Sequence, residues 1–450
     1  MVETDFVEKN LRSSSGAEPQ IDRANISRRF LRKLAPYLAV LYFFLFLDRQ
    51  NINFAGLQMA KELDLTATAF GLAIGVFSIG YAIFELPSTL LLRRFGARVW
   101  LARIMITWGI LSVATAFVTN STSLYVVRFL LGAAEAGFVP GVVFYLTNWV
   151  PASERGRVIG AFMLAIPAST ILGAPISGVL LDLNGLGLHG WQWLFIVEGF
   201  PSVLLGFSIF RLLPNTPADA SWLSSAEQNW LGDEVRAEQA RAAVVGRTTI
   251  KTALLSPMVW LLGLIYLGNG VGLFGISTWL PLFVRNLGFS FVQTGLLISA
   301  VYVVMAAYMI FWTRHSDFTG ERVWHVAVPS LLGVLFLTLA ALSAAPIATV
   351  VLLSLAAILM NPATPTFWNL PPKYLSGQGA AAGIALISSI GALGAFIGPA
   401  VLGFAKDQAG SFSTGLFFIA AGPFMSAILT IGLLKHRAFQ RNDRMTKAVR

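Results

Sequence analysis

The sequence predicts an all-α membrane protein with twelve transmembrane helices in two pseudo-symmetric six-helix bundles, and three observations carry that prediction. Of its 450 residues, 56% are hydrophobic and only 12% are charged, whereas an ordinary soluble domain is about a quarter charged. Apolar stretches of about 20 residues, enough to cross a bilayer, recur along nearly the whole chain. Short sequences also recur between the first six stretches and the last six at a common interval.

Read against Gly, Pro and polar breakers, the apolar runs give spans near 34–57, 68–92, 99–118, 123–148, 157–181 and 191–213. A second set lies near 257–283, 290–313, 324–343, 346–369, 379–404 and 412–435. The expected organisation is a tail over 1–33, a bundle over 34–213, a polar linker with one amphipathic stretch over 214–256, a bundle over 257–435 and a tail over 436–450. "FGARVW" at 95–100 returns as "TGERVW" at 319–324, and Pro175 in "GAPISG" is displaced by the same interval from Pro399 in "IGPAVLG". Duplication about a pseudo-symmetry axis is a common plan of secondary transporters, whose binding site lies between the halves near the midplane.

The net charge of +10 is not pooled as in a nucleic-acid-binding face; it returns in alternate loops. Arg28, Arg29, Arg32 and Lys33 precede the first span, and Arg93, Arg94 and Arg98 follow the second, with Arg155 and Arg157 after the fourth. Arg236, Arg241, Arg247 and Lys251 mark the linker, Arg314 and Arg322 the loop after the eighth span, and Lys435, Arg437, Arg441 and Arg444 the C-terminal tail. The bias places both termini in the cytoplasm. The chain has no cysteine, which excludes disulfides, thiolate metal sites and a cysteine nucleophile. No phosphate-binding loop, metal-ligand cluster or nucleophile–base spacing occurs, so no enzyme, cofactor or metal is expected, and the four histidines fall at loop-like positions.

Charge inside a bilayer costs about 2.5 kcal/mol or more per residue, so intramembrane charge points to function. Such residues are concentrated in the first half: Asp48 and Arg49, Glu85, Arg103, Arg128 and Glu135, and Glu198. The second half offers neutral polar and aromatic groups instead, including Tyr266, Asn269, Trp368 and Ser388. A division follows in which the first half handles charge and protons and the second shapes the pocket; interhelical hydrogen bonding is the bland alternative for each neutral residue. Asp48 and Arg49 are about 100° apart on a helix, so both can face a cavity without facing each other. Arg128 and Glu135 share a face but are separated by about 10 Å of rise, so each is expected to find partners on the first span. Alternating exposure would let a midplane carboxyl load a proton on one side and unload it on the other; a buried ion-pair lock is the structural alternative. Glu85 and Arg103 lie near the cytoplasmic arginines and suit a gating salt-bridge network, while Glu198 suits packing.

Several segments resemble the major facilitator superfamily, and within it the anion:cation symporters. They are "LDRQNINFA", "GYAIFELPSTLLLRRFGARVW", "RFLLGAAEAGFVPG", "SERGRVIGAF", "WQWLFIVEGFP", "HSDFTGERVWH" and "FWNLPPKYLSGQGAAAGIALISSIGALGAFIGP". The resemblance spans about residues 30–435 and implies uptake of a small organic carboxylate with protons, by a monomer in a bacterial inner membrane. An exchanger or exporter on the same scaffold is the alternative. It implies Asp48 and Glu135 as the protonatable pair, Arg128 as their controlling partner and Arg49 as the residue facing the substrate carboxylate. Tyr81 and Trp368 join Tyr266, Asn269 and Ser388 in the pocket, and Glu85, Arg94, Arg98, Asp317 and Arg322 are the expected gating residues. The first-half loop carries Arg93 where the family has an acid that Asp317 keeps in the second half. Ser388, Ala392 and Ile166 replace polar family residues, which points to a smaller or aromatic carboxylate.

Overall fold

The computed structural model describes residues 23–147, 149–150, 163–244, 255–375 and 378–435. Regular structure among them is helical, apart from one isolated bridge between Gly185 and Leu188. Ten helical stretches are long and apolar enough to cross a membrane. Two further helices complete the twelve. Ala35–Glu62, the first span, is 28 residues long but carries Asp48, Arg49, Gln50, Asn51 and Asn53; Ala165–Leu181, the fifth, is an apolar helix of 17 residues. The first part of the expected fifth span, including "SERGRVIGAF", lies outside the described residues, as do the 245–254 part of the linker and most of both tails.

The other first-half spans are Ala67–Phe95, Ala97–Thr115, Ser121–Thr147 and Gly190–Leu212. The seventh to ninth are Pro257–Arg285, Phe291–Thr319 and Val323–Leu342, and the twelfth is Ser413–Gly432. Three spans are interrupted. The fourth breaks between Ser121–Glu135 and Phe138–Thr147, where Gly137 has φ +88°. The tenth breaks after Pro346–Met360 at Asn361 and Pro362, and the eleventh bends between Gln378–Ala392 and Gly394–Ala409. A helix over Arg23–Lys33 precedes the first span, and another over Ser225–Val244 lies in the linker. Arg29 pairs with Glu227 and donates to the Trp222 carbonyl at 3.1 Å, tying these two together.

With twelve spans, the N-terminal helix, the linker and the chain end share one face, here the tail face. The halves meet toward the opposite, far face. A Cβ at Gly71 or Gly403 of the second and eleventh spans would stand 2.5 Å from the Pro399 carbonyl oxygen or 2.2 Å from that of Ala67. Across the other seam, a Cβ at Gly178 or Gly295 of the fifth and eighth spans would stand 2.6 Å from the Phe291 oxygen or 2.2 Å from that of Ala174. The two seams repeat each other: Gly71 and Gly295 are 224 positions apart (295 − 71), as are their partners' Pro175 and Pro399 and the capped loops' Gly96 and Gly320. Small residues let these backbones touch. Asp407 accepts from the Ala67 and Thr68 amides at 3.1 and 2.7 Å, so an acid of the second half caps a helix of the first.

Candidate functional site

Asp48 and Arg49 lie midway along the first span and diverge. Asp48 is 1% exposed. Its Oδ1 accepts from Asn51 at 2.8 Å and from the Ser112 hydroxyl, and its Oδ2 from Trp108 Nε1 at 2.9 Å. It therefore faces the third span and not the cavity, because Trp108 and Ser112, four residues apart, present both donors from one helix face. Arg49 turns the other way, with 27% of its side chain exposed. Its guanidinium pairs with Glu135 and lies 4.9 Å from the ring of Tyr81, 5.4 Å from Phe46 and 5.6 Å from Phe77. The carboxylate of the fourth span thus finds its partner on the first span, as its separation from Arg128 predicts.

Glu135 is fully buried at the last helical turn before the break. Ser88 donates to the Ala136 carbonyl at 2.6 Å and accepts from Trp100 Nε1 at 2.9 Å, satisfying the interrupted backbone. Glu135 Oε2 has no hydrogen-bond partner, and neither do Nε and Nη1 of Arg128, which is buried with its guanidinium 5.0 Å from the Phe77 ring. Arg128 sits in the field of both Asp48 and Glu135. The centre is therefore a four-charge cluster with spare donors and one spare acceptor.

Across the cavity, Tyr266 stacks on Phe367 at 5.3 Å and meets Trp368 edge-on at 5.0 Å. Tyr266 lies on the seventh span, which packs against the first, so these aromatics belong to the half that meets the charged one. Ser388 is half-buried on the eleventh span. Asn269, expected in the pocket, is instead fully buried and accepts from Ser330 at 2.8 Å, a bond between the seventh and ninth spans. The gate expectation divides. Asp317 and Arg322 form an ion pair at 2.8 Å, and Arg322 also donates to Ser316 at 2.8 Å. Among the described residues no ion pair joins Glu85 to Arg94, Arg98 or Arg103. Arg94 lies over Phe95, the Arg98 amide reaches Asn215, and Arg103 stacks 4.1 Å from Trp100, which draws it away from Glu85. The Arg93 side chain lies outside the described residues. Two of the four histidines do meet: His315 and His325 are 2.8 Å apart, and His325 contacts Glu321 at 2.8 Å.

Sequence reasoning missed Ser88, Trp108 and Ser112, the last two of which left as their trace a pair of hydrogen-bonding residues at four-residue spacing on an otherwise apolar helix.

Two six-helix halves meeting around a buried charged centre have the architecture of a multi-pass membrane secondary transporter. The chain belongs to the Major Facilitator Superfamily, whose family description matches residues 38–399; members are transporters and not enzymes. It is 43% identical over 415 residues, 92% of each chain, to a protein of Agrobacterium vitis named "Putative tartrate transporter". It is 40% identical over 405 residues to a Pseudomonas putida protein named "Putative metabolite transport protein NicT", covering 89% of this chain and 92% of that one. In fold it is similar to the crystal structure of a bacterial homolog of the human lysosomal transporter Spinster, captured inward-facing and unoccupied, with a TM-score of 0.72. The identity there is 16%, over 95% of this chain and 99% of that one.

Proposed function

We propose that this transporter imports a small organic carboxylate together with protons across a bacterial inner membrane, as a monomer with both tails cytoplasmic. The observation that carries the proposal is the Arg49–Glu135 pair on the cavity wall. A substrate carboxylate and Glu135 compete for one guanidinium. Adding a proton to Glu135 frees the Arg49 fork for the anion, and losing it returns the fork to Glu135 and expels the anion, so proton and substrate move together. Phe46, Phe77 and Tyr81 on one wall and Tyr266 and Trp368 on the other suit a small or flat carboxylate body. The relatives named for tartrate and metabolite transport agree with a small anionic metabolite.

Asp48 carries the second proton in this reading. The three donors aimed at it fit the ionised carboxylate, and Arg128 holds it in register with Glu135. The test is uptake by proteoliposomes of carboxylates, tartrate among them, that raise thermal stability. Asp48→Asn keeps size and neutrality but cannot release a proton, so it should bind and exchange substrate yet lose accumulation against a gradient. Accumulation by Asp48→Asn at the wild-type level would refute the carrier role.

A further inference from the structure

The far face holds a second cavity, apart from the charged centre. It measures about 280 Å³, at the lower edge of the roughly 300–1,000 Å³ usual for ligand pockets, which fits a compound of one ring. Both halves build it. Phe70 of the second span comes from one half, and Thr278 and Trp279 of the seventh, Lys406 of the eleventh and Phe412 at the start of the twelfth come from the other. Phe70, Thr278 and Trp279 are buried at its floor, while Thr66 and Asn286 are exposed at its rim.

The lining specifies an occupant. Phe70, Trp279 and Phe412 form an aromatic series with successive ring centres 5.6 and 5.0 Å apart, which suits a flat apolar body. Lys406 supplies the charge. Its Nζ donates to the Gly410 carbonyl at 2.7 Å and lies 5.5 Å from the centre of the Phe412 ring, so ammonium hydrogens are left over. No acid takes them: among the described residues no ion pair joins Lys406 to a carboxylate. Asp407 gives its two oxygens to the Ala67 and Thr68 amides, and Glu62 is held by Trp191 at 2.6 Å and His189 at 3.3 Å. At the floor Thr278 is 4% exposed, and its hydroxyl has no hydrogen-bond partner among the described residues.

We propose that this cavity binds a small aromatic monocarboxylate, separately from the Arg49 centre, and that the bound anion holds the far face closed. The carboxylate accepts a charge-assisted hydrogen bond from Lys406 while the ring lies among Phe70, Trp279 and Phe412. Closure follows from the ownership of the walls. Parting the halves draws Phe70 away from Trp279, so an occupant that touches both binds the closed state in preference and shifts the population toward it. A protein held in that state cannot load from the far face, which makes the site inhibitory.

Benzoate is the probe, with benzyl alcohol as its uncharged counterpart. The chain has no cysteine, so single introduced cysteines report through their rate of modification by a thiol reagent. Thr278→Cys lies in the cavity, whereas Thr294→Cys, fully buried beside Gly295 in the seam of the fifth and eighth spans, lies outside it and reads opening alone. Every measurement also carries Arg49→Lys, which weakens the proposed central carboxylate site and lets this test stand whether or not that site binds anions. Benzoate should slow modification at both cysteines, and benzyl alcohol at the same concentration should not. Lys406→Gln should raise the half-protecting benzoate concentration about tenfold, as loss of a charged hydrogen-bond partner requires, and Lys406→Arg should keep most of the protection. Absence of protection by benzoate, equal protection by benzyl alcohol, or protection undiminished in Lys406→Gln would overturn the binding site. Protection of Thr278→Cys without Thr294→Cys would overturn the closure.

Discussion

Gly403→Ala should shift the protein toward the state open at the far face. The added Cβ would stand 2.2 Å from the Ala67 carbonyl oxygen and 2.7 Å from its carbon. Ordinary contact begins near 3.4 Å, so the two backbones have to part by roughly 1.2 Å, and neither is a side chain that can swing aside. Overpacking of this kind costs about 1–3 kcal/mol. Once the seam is open the methyl meets nothing from the other half, so the cost falls on one state and becomes a shift of about 5- to 150-fold in their ratio. The chain has no cysteine, so a single Thr278→Cys, buried beside the far-face cavity of about 280 Å³, reports opening through its rate of modification by a thiol reagent. Adding Gly403→Ala should raise that rate, whereas Gly185→Ala, with nothing within 4 Å, should not. A folded Gly403→Ala protein that labels at the background rate would refute closure by backbone contact.

Asp407→Asn removes the charge that caps the second span, worth about 1 kcal/mol for an anion at a helix N-terminus, so Thr278→Cys should again label faster, by about fivefold. Arg49→Lys retains charge but loses the planar fork and its stacking on Tyr81; carboxylate affinity, read by thermal shift, should fall about tenfold, and unchanged affinity would place the anion elsewhere. Glu227 lies outside the spans. Partial burial works to raise its pKa but is outweighed by the Ser224 amide and hydroxyl and by Arg29, leaving it below the usual glutamate range. A lowered folded value means stabilisation present above about pH 4.3, the unfolded value, and lost as pH falls below it through the lower folded value. Protection from hydrogen exchange over Ser225–Val244, taken relative to the intrinsic amide rate at each pH, should therefore fall on acidification in the wild type and lose that pH dependence in Glu227→Gln.

The number and order of the spans were legible because a bilayer demands length and apolarity from each of them, and the sequence shows both. The charged centre was legible for a related reason: Asp48, Arg49, Arg128 and Glu135 are expensive in such runs and stand out. Which way each one faces was not. Every face of these helices is apolar, so periodicity does not distinguish cavity from helix interface, and the divergence of Asp48 from Arg49 depends on Trp108 and Ser112 some sixty positions away. Asn269 was assigned to the pocket by polarity alone, yet Ser330 claims it for a helix interface. The break after Glu135 was hidden because "GAAEAG" reads as ordinary small-residue helix, and it takes Ser88 and Trp100 to satisfy the exposed backbone.

The two halves share their closing surfaces but not their chemistry. At the interval that relates Gly71 to Gly295, the counterparts of Asp48, Arg49, Arg128, Glu135 and Glu198 are Gly272, Leu273, Leu352, Leu359 and Gly422. None can carry charge, whereas Gly71 and Pro175 of the seams are retained as Gly295 and Pro399, while Gly178 and Gly403 have Leu402 and Val179 as counterparts at the same interval. A symmetric seam lets either half rock against the other with matched contacts at small cost. A charged centre confined to one half means that no ion pair has to be made or broken across the cavity during that motion. The opposing wall, where Tyr266 stacks on Phe367 and meets Trp368 edge-on, is then free to vary with the substrate, while the buried charged residues stay together in one half. Substitutions at Tyr266 or Trp368 should accordingly change which carboxylate is carried and leave proton coupling intact, and a Trp368→Ala variant that uncouples transport without altering substrate choice would contradict the division.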